Sequence, residues 1–173
     1  MTKTLKITDE QNARKKIFEL DLEPRKVKLQ SKSEGPGWSL EKCDAVEVQY
    51  KRFLILCFKY ENIGLVPSVD IDDFWHTHIL DTRKYFDDCD QIFGRYLHHF
   101  PYLGLRGVED EKNLRAKADE TAKLYLAEFG AEYYAANSSG MCKGCSSCGE
   151  RGVDAGWQFE ARPYPVRNQT AFA

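Results

Sequence analysis

Three features of the chain predict an all-α fold. Apolar residues recur every three or four positions through most of the first 130 residues, and Gly and Pro fall between those stretches instead of inside them. The composition, 42% hydrophobic, 13% aromatic and 30% charged, is that of a globular protein with one real core. The expectation is a compact helical domain of about four to five helices over residues 1–136. An irregular Cys- and Gly-containing C-terminal tail, residues 137–173, then packs on it or hangs from it flexibly.

Thr8 is placed to cap a first helix through Leu20, ended before Pro24. Lys26 to Ser31 reads as a short extended piece, and Ser33 to Gly37 as a Gly/Pro loop. Ser39 opens a long helix whose stripe, Cys43, Val46, Tyr50, Phe53, Leu54, Cys57 and Tyr60, is core. Asn62-Ile63-Gly64 stops it. Asp70 is placed to cap the next helix, through Leu80, and Asp81 or Thr82 a continuation that ends at Gly94 with Tyr85, Phe86, Cys89, Ile92 and Phe93 as its apolar stripe. A last helix runs from about Asp110 to Phe129. The tail beyond Asn137 holds five of the twelve glycines and no Leu or Ile, too little to build a second core.

Charge and motif content narrow the function classes. A net charge of −2 and a pI near 6.1 give no electrostatic case for nucleic acid. The longest apolar run, Phe53 to Phe58, is too short to cross a bilayer, and the N-terminal residues do not read as a secretion signal, so a cytoplasmic location is expected. No Gly-x-Ser-x-Gly elbow or phosphate-binding Gly loop is present, which argues against ordinary hydrolase and nucleotide chemistry.

Residues 70–99 hold all four histidines, Cys89 and seven aspartates. Imidazole, thiolate and carboxylate are the groups that bind metals and move protons, so this segment is where chemistry is expected. Residues two apart on a helix point about 200° away from each other, so His76 and His78 do not bind one ion. His78 shares a face with Ile71, Phe74 and Trp75 and points toward the core. His76 lies on the other side, stacked above Asp72 and Asp73. One of His98 and His99, in the loop after Gly94, is expected to face back toward the helix.

The first candidate site is therefore His78 with one or both of His98 and His99, with Asp72, His76 and Cys89 as nearby ligands or supporting partners. Such a set suits zinc, iron or copper. A second, weaker candidate is Cys142, Cys145 and Cys148, three thiols at Cys-x-x-Cys-x-x-Cys spacing that lack a local fourth ligand. The structural alternatives are a hydrogen-bonded core role for His78, a small buried hydrophobe at Cys89, and helix capping or a solvated face for the aspartates.

Pro67-Ser68-Val69-Asp70, Trp75-His76-Thr77-His78, Tyr85, Asp88-Cys89, Phe93-Gly94 and Leu97-His98-His99 together resemble the glycine-rich domain-containing protein-like family. The likeness spans residues 65–101 and implies a mainly helical domain, without implying an activity. Plant members share the first His-x-His pair and the Asp-Cys pair but not the His98-His99 pair, which puts a site using His98 or His99 in question as a family-wide function.

The function expected from the residues is transition-metal binding, with metal-dependent catalysis on an unnamed substrate if a coordination position stays open. The alternative is a non-catalytic interaction module whose His and Cys residues are structural. The partners expected are a small molecule or a protein, with no nucleic acid and no membrane.

Overall fold

The protein is described by a computed structural model covering residues 3–131, 133 and 146–147. Its elements are α1 (Lys3–Phe18), α2 (Glu23–Gln30), α3 (Leu40–Lys59), α4 (Val69–Leu80), α5 (Thr82–Phe93), β1 (His99–Phe100), α6 (Val108–Phe129) and β2 (Ser146–Ser147). The two short strands pair antiparallel, His99 opposite Ser147 and Phe100 opposite Ser146. The all-α class holds, with six helices among the described residues.

The sixth is α2, where an extended piece was expected. Val27 and Leu29 mimic strand alternation, yet Val27 is exposed while Leu22, Lys26 and Leu29 are all buried. Spacing of four and then three residues is a helical face, and Pro24 inside the first turn presets the backbone.

Three caps also differ from expectation. Thr8 lies inside α1, because the helix continues upstream of it to Lys3. Ser68, not Asp70, caps α4, its hydroxyl accepting the Ile71 N–H at 3.3 Å. Asp70 lies in the first turn, where the helix dipole favours a carboxylate, and it pairs with Lys42 at 3.0 Å. Asp81 is the residue before α5, and its carboxylate pairs with Arg25 at 2.5 Å instead of making a close cap bond. Ser39 caps α3 as read from the sequence, accepting the Lys42 N–H.

The apolar stripe of α3 is the centre of the core. Tyr50, Phe53, Leu56 and Cys57 are fully buried, and α1, α2, α4 and α6 pack around them. Burial on this scale, at about 1.5 to 3 kcal/mol for each large apolar side chain, is what holds the helices together. A smaller cluster of Val66, Phe100, Leu103, Leu114 and Ala118 joins β1 to α6. The two clusters meet at the chain between α3 and α4. There Thr121 accepts the Val66 N–H at 3.0 Å while Tyr133 donates to the Val66 carbonyl at 2.9 Å.

The loop leading into α6 is pinned by one carboxylate. Asp110 accepts from the Gly104 N–H at 2.6 Å and from the Arg106 side chain, whose guanidinium lies over the Phe100 ring. Gly104 adopts φ 87°, and a Cβ there would stand 2.6 Å from a Leu114 methyl, so a side chain at this position is strained. No described helix is long and apolar enough to cross a membrane.

Candidate metal centre

The phase of α4 is set by the burial of Ile71, Phe74, Trp75 and His78, which leaves Asp72 and His76 one turn apart on the side that looks toward β1. The route of the chain from α5 supplies the third group. Gly94 closes α5 in the left-handed conformation at φ 62°, and Leu97 then buries completely. A chain of bonds holds that turn: Trp75 Nε1–H donates to Tyr85 Oη at 2.9 Å, and Tyr85 donates to the Leu97 carbonyl at 2.5 Å. Both ends of the chain are buried, so both polar side chains are satisfied.

Beyond Leu97, successive side chains of β1 take opposite sides, as a strand requires. Phe100 enters the smaller core while the His99 ring lies on Trp75, centroids 4.7 Å apart. His99 Nε2 is then 2.9 Å from Asp72 Oδ1 and 3.1 Å from His76 Nε2, and His76 Nε2 is 3.6 Å from Asp72 Oδ2. The Asp72 and His99 side chains are 7% and 8% exposed, whereas that of His76 is 46% exposed, so the cluster has a buried floor and one side open to solvent.

These distances suit a shared cation. Donors held about 2.0 to 2.1 Å from one ion stand about 3 to 3.4 Å apart, and the three separations bracket that range. Only one proton fits between the two Nε2 atoms, and Asp72 offers acceptors alone when ionised. With Nε2 of both imidazoles deprotonated, Asp72, His76 and His99 would turn three donor atoms toward one space. The neighbouring Asp73 carboxyl is raised from its usual range, first by burial and then by the charge of Asp72.

His78 sits apart from this cluster, on the core side of α4. Its Nδ1 lies 2.9 Å from Tyr50 Oη and its Nε2 2.9 Å from Asp88 Oδ2, with Lys84 completing the Asp88 shell at 2.6 Å. Burial pushes the imidazole pKa down despite the opposing carboxylate, and it pushes the Tyr50 phenol well up. Asp88 is drawn up by burial but held below its usual value by His78 and Lys84. The tautomer follows from these directions: neutral His78 accepts from Tyr50 and donates to ionised Asp88. Both ring nitrogens are committed, which leaves none for a metal.

Cys89 is buried and hydrogen-bonded with Leu97 and Tyr85, away from Asp72, His76 and His99, and burial raises its thiol pKa. His98 is exposed, its ring against Tyr96 at 4.8 Å. Of the six residues in the first candidate site, the fold thus gathers Asp72, His76 and His99 and sends His78, Cys89 and His98 elsewhere. Cys142, Cys145 and Cys148 lie outside the described residues.

Sequence reasoning missed Tyr50 and Asp88 as the partners of His78. The available signal was Lys84-x-x-x-Asp88, an i,i+4 pair on the same helix as Tyr85. A second acidic cluster, Glu23, Asp44 and Glu47, has the geometry of a cation site as well. Its centre already holds the Lys26 ammonium, at 2.5, 2.6 and 2.8 Å from the three carboxylates.

Comparison with known proteins covers the same segment. The chain is 32% identical over 94 residues to glycine-rich domain-containing protein 1 of Arabidopsis thaliana, a match that takes in 52% of this chain and 11% of the relative. The chain therefore spans about a tenth of the length of that relative. No solved structure matches. The profile of the UCP032817-like family matches residues 13–119, from the end of α1 into α6 with every member of the histidine cluster inside it, and the chain belongs to that family.

Proposed function

We propose that this protein binds a transition metal ion through Asp72, His76 and His99. The observation that carries the reading is the convergence of two imidazole nitrogens and a carboxylate within 3.6 Å of one another around a space that opens to solvent past His76. Zinc, iron and copper all accept two imidazoles and a carboxylate. Such a set leaves coordination positions for water or a substrate, so metal-dependent catalysis on a small molecule is the activity to seek. The metal would supply Lewis acidity or redox chemistry; the protein would hold the ligands, with Trp75 fixing the plane of His99.

The rival reading, a non-catalytic interaction module, draws on the bond between Asp72 and His99, which by itself staples α4 to β1. His76 separates the two, because its exposed ring contributes little to a staple and a full ligand to a metal. The test is elemental analysis of protein purified without chelator, beside a His76→Ala variant. Stoichiometric metal in the parent and none in a variant of unchanged helicity supports the metal centre. A parent that stays metal-free after anaerobic reconstitution with zinc, iron and copper removes it.

A further inference from the structure

One residue of the proposed centre belongs to two structures at once. His99 offers its ring to Asp72 and His76, and its backbone pairs with Ser147 in the two-residue ladder of β1 and β2. Phe100, opposite Ser146, is anchored in the smaller core, so β1 is gripped on both faces by side chains and along one edge by the C-terminal segment. A ladder of two residue pairs is marginal alone, and a metal ligand on an unpaired loop loses backbone freedom when it is captured. Each event therefore removes entropy that the other would otherwise have to remove.

We propose that metal binding at Asp72, His76 and His99 and the pairing of Ser146–Ser147 onto β1 are coupled, each strengthening the other. The proposal rests on the metal reading above and extends it to regulation: loading the centre fixes the strand on which the tail docks, and docking the tail tightens the centre. Coupling of this kind is reciprocal, so one factor describes both effects. In sequence, Ser146-Ser147 is the spacer between Cys145 and Cys148.

The experiment titrates Zn2+ alone, against a chromophoric chelator, into the full chain and into a Ser146→Pro, Ser147→Pro double variant. The prolines remove both backbone N–H donors of β2 and leave every cysteine in place. His76→Ala in each background identifies the zinc that the histidine centre holds. Hydrogen exchange of peptides covering residues 97–103 and 143–150 is followed with and without zinc in the parent chain, a readout that needs no proline variant.

The expected result is His76-dependent zinc affinity about fivefold weaker in the proline variant, with zinc slowing exchange in both peptides of the parent but not of His76→Ala. Equal His76-dependent affinity in the two chains, with exchange indifferent to zinc, overturns the coupling and leaves the metal centre standing. If His76→Ala releases no zinc from either chain, the metal reading fails and the coupling falls with it.

Discussion

His78 Nε2 stands 2.9 Å from the Asp88 carboxylate, and this one bond joins the core faces of α4 and α5. With Tyr50 on the other ring nitrogen it threads three helices on one imidazole. The arrangement is that of a structural histidine: fully buried, neutral, and bonded at both ends. His78→Ala leaves Tyr50 and Asp88 buried without that partner, and a loss of about 3 kcal/mol is expected from chemical denaturation. Metal per folded molecule should not change. A His78→Ala protein that stays fully stable yet loses metal contradicts this assignment.

His76→Ala is the opposite case. The ring is half exposed, and its removal is expected to shift stability by less than about 0.5 kcal/mol in the metal-free protein. His99→Ala costs more, because its ring is packed on Trp75 and bonded to Asp72. Thermal melts with and without Zn2+ check both: the parent rises with zinc, as a ligand that binds only the folded state demands, and neither variant does. A zinc-dependent rise retained in His76→Ala places the metal elsewhere.

Lys26 predicts a stability effect at a site where the sequence suggested a short extended piece. Burial works against its charge, but bonds to Asp44, Glu23 and Glu47 outweigh that and raise its pKa. Lys26→Met leaves three carboxylates facing one another, and Lys51 shares only Glu47. The expected loss is about 3 kcal/mol at pH 7, shrinking as the pH falls and the carboxylates take up protons. Urea midpoints of parent and variant at pH 7 and at about pH 4, near the ordinary carboxylate values, decide it.

Acid should unfold the protein in two stages. His78 has its pKa lowered by burial, so below about pH 6.5 the unfolded chain takes a proton that the native one refuses, and stability declines. Glu47 and Glu128 are pushed up by burial but held low by lysine and arginine partners, while the bonds from Arg106 hold Asp110 low. Their contribution is complete only above the ordinary carboxylate values, about pH 4.5, and is lost as the pH falls from there through their lowered native values. His78→Gln should erase the first stage and keep the second. A decline between pH 6.5 and 4.5 that is identical in His78→Gln assigns it to other groups.

Gly94→Ala isolates backbone strain. A Cβ there meets nothing within 4 Å, so the φ of 62° is the whole cost, about 1 kcal/mol by denaturation.

The sequence by itself determined the helical class, the buried stripe of α3 and the phase of α4. Each of these depends on the 3.6-residue period alone, which is local and therefore legible. That period already sent His78 inward and set His76 above Asp72. It was silent on α2, where one helical face includes a lysine whose burial rests on Glu23 one turn away and on Asp44 and Glu47 of α3. Nor did it decide which histidine of the 98–99 pair turns back. That choice was made by Leu97, buried and held by Tyr85, which fixes the strand so that His99 meets α4 and His98 meets solvent. Periodicity reports which side of an element is apolar, but the path of a loop follows from contacts between residues far apart in the chain, and those exist only once the helices have packed.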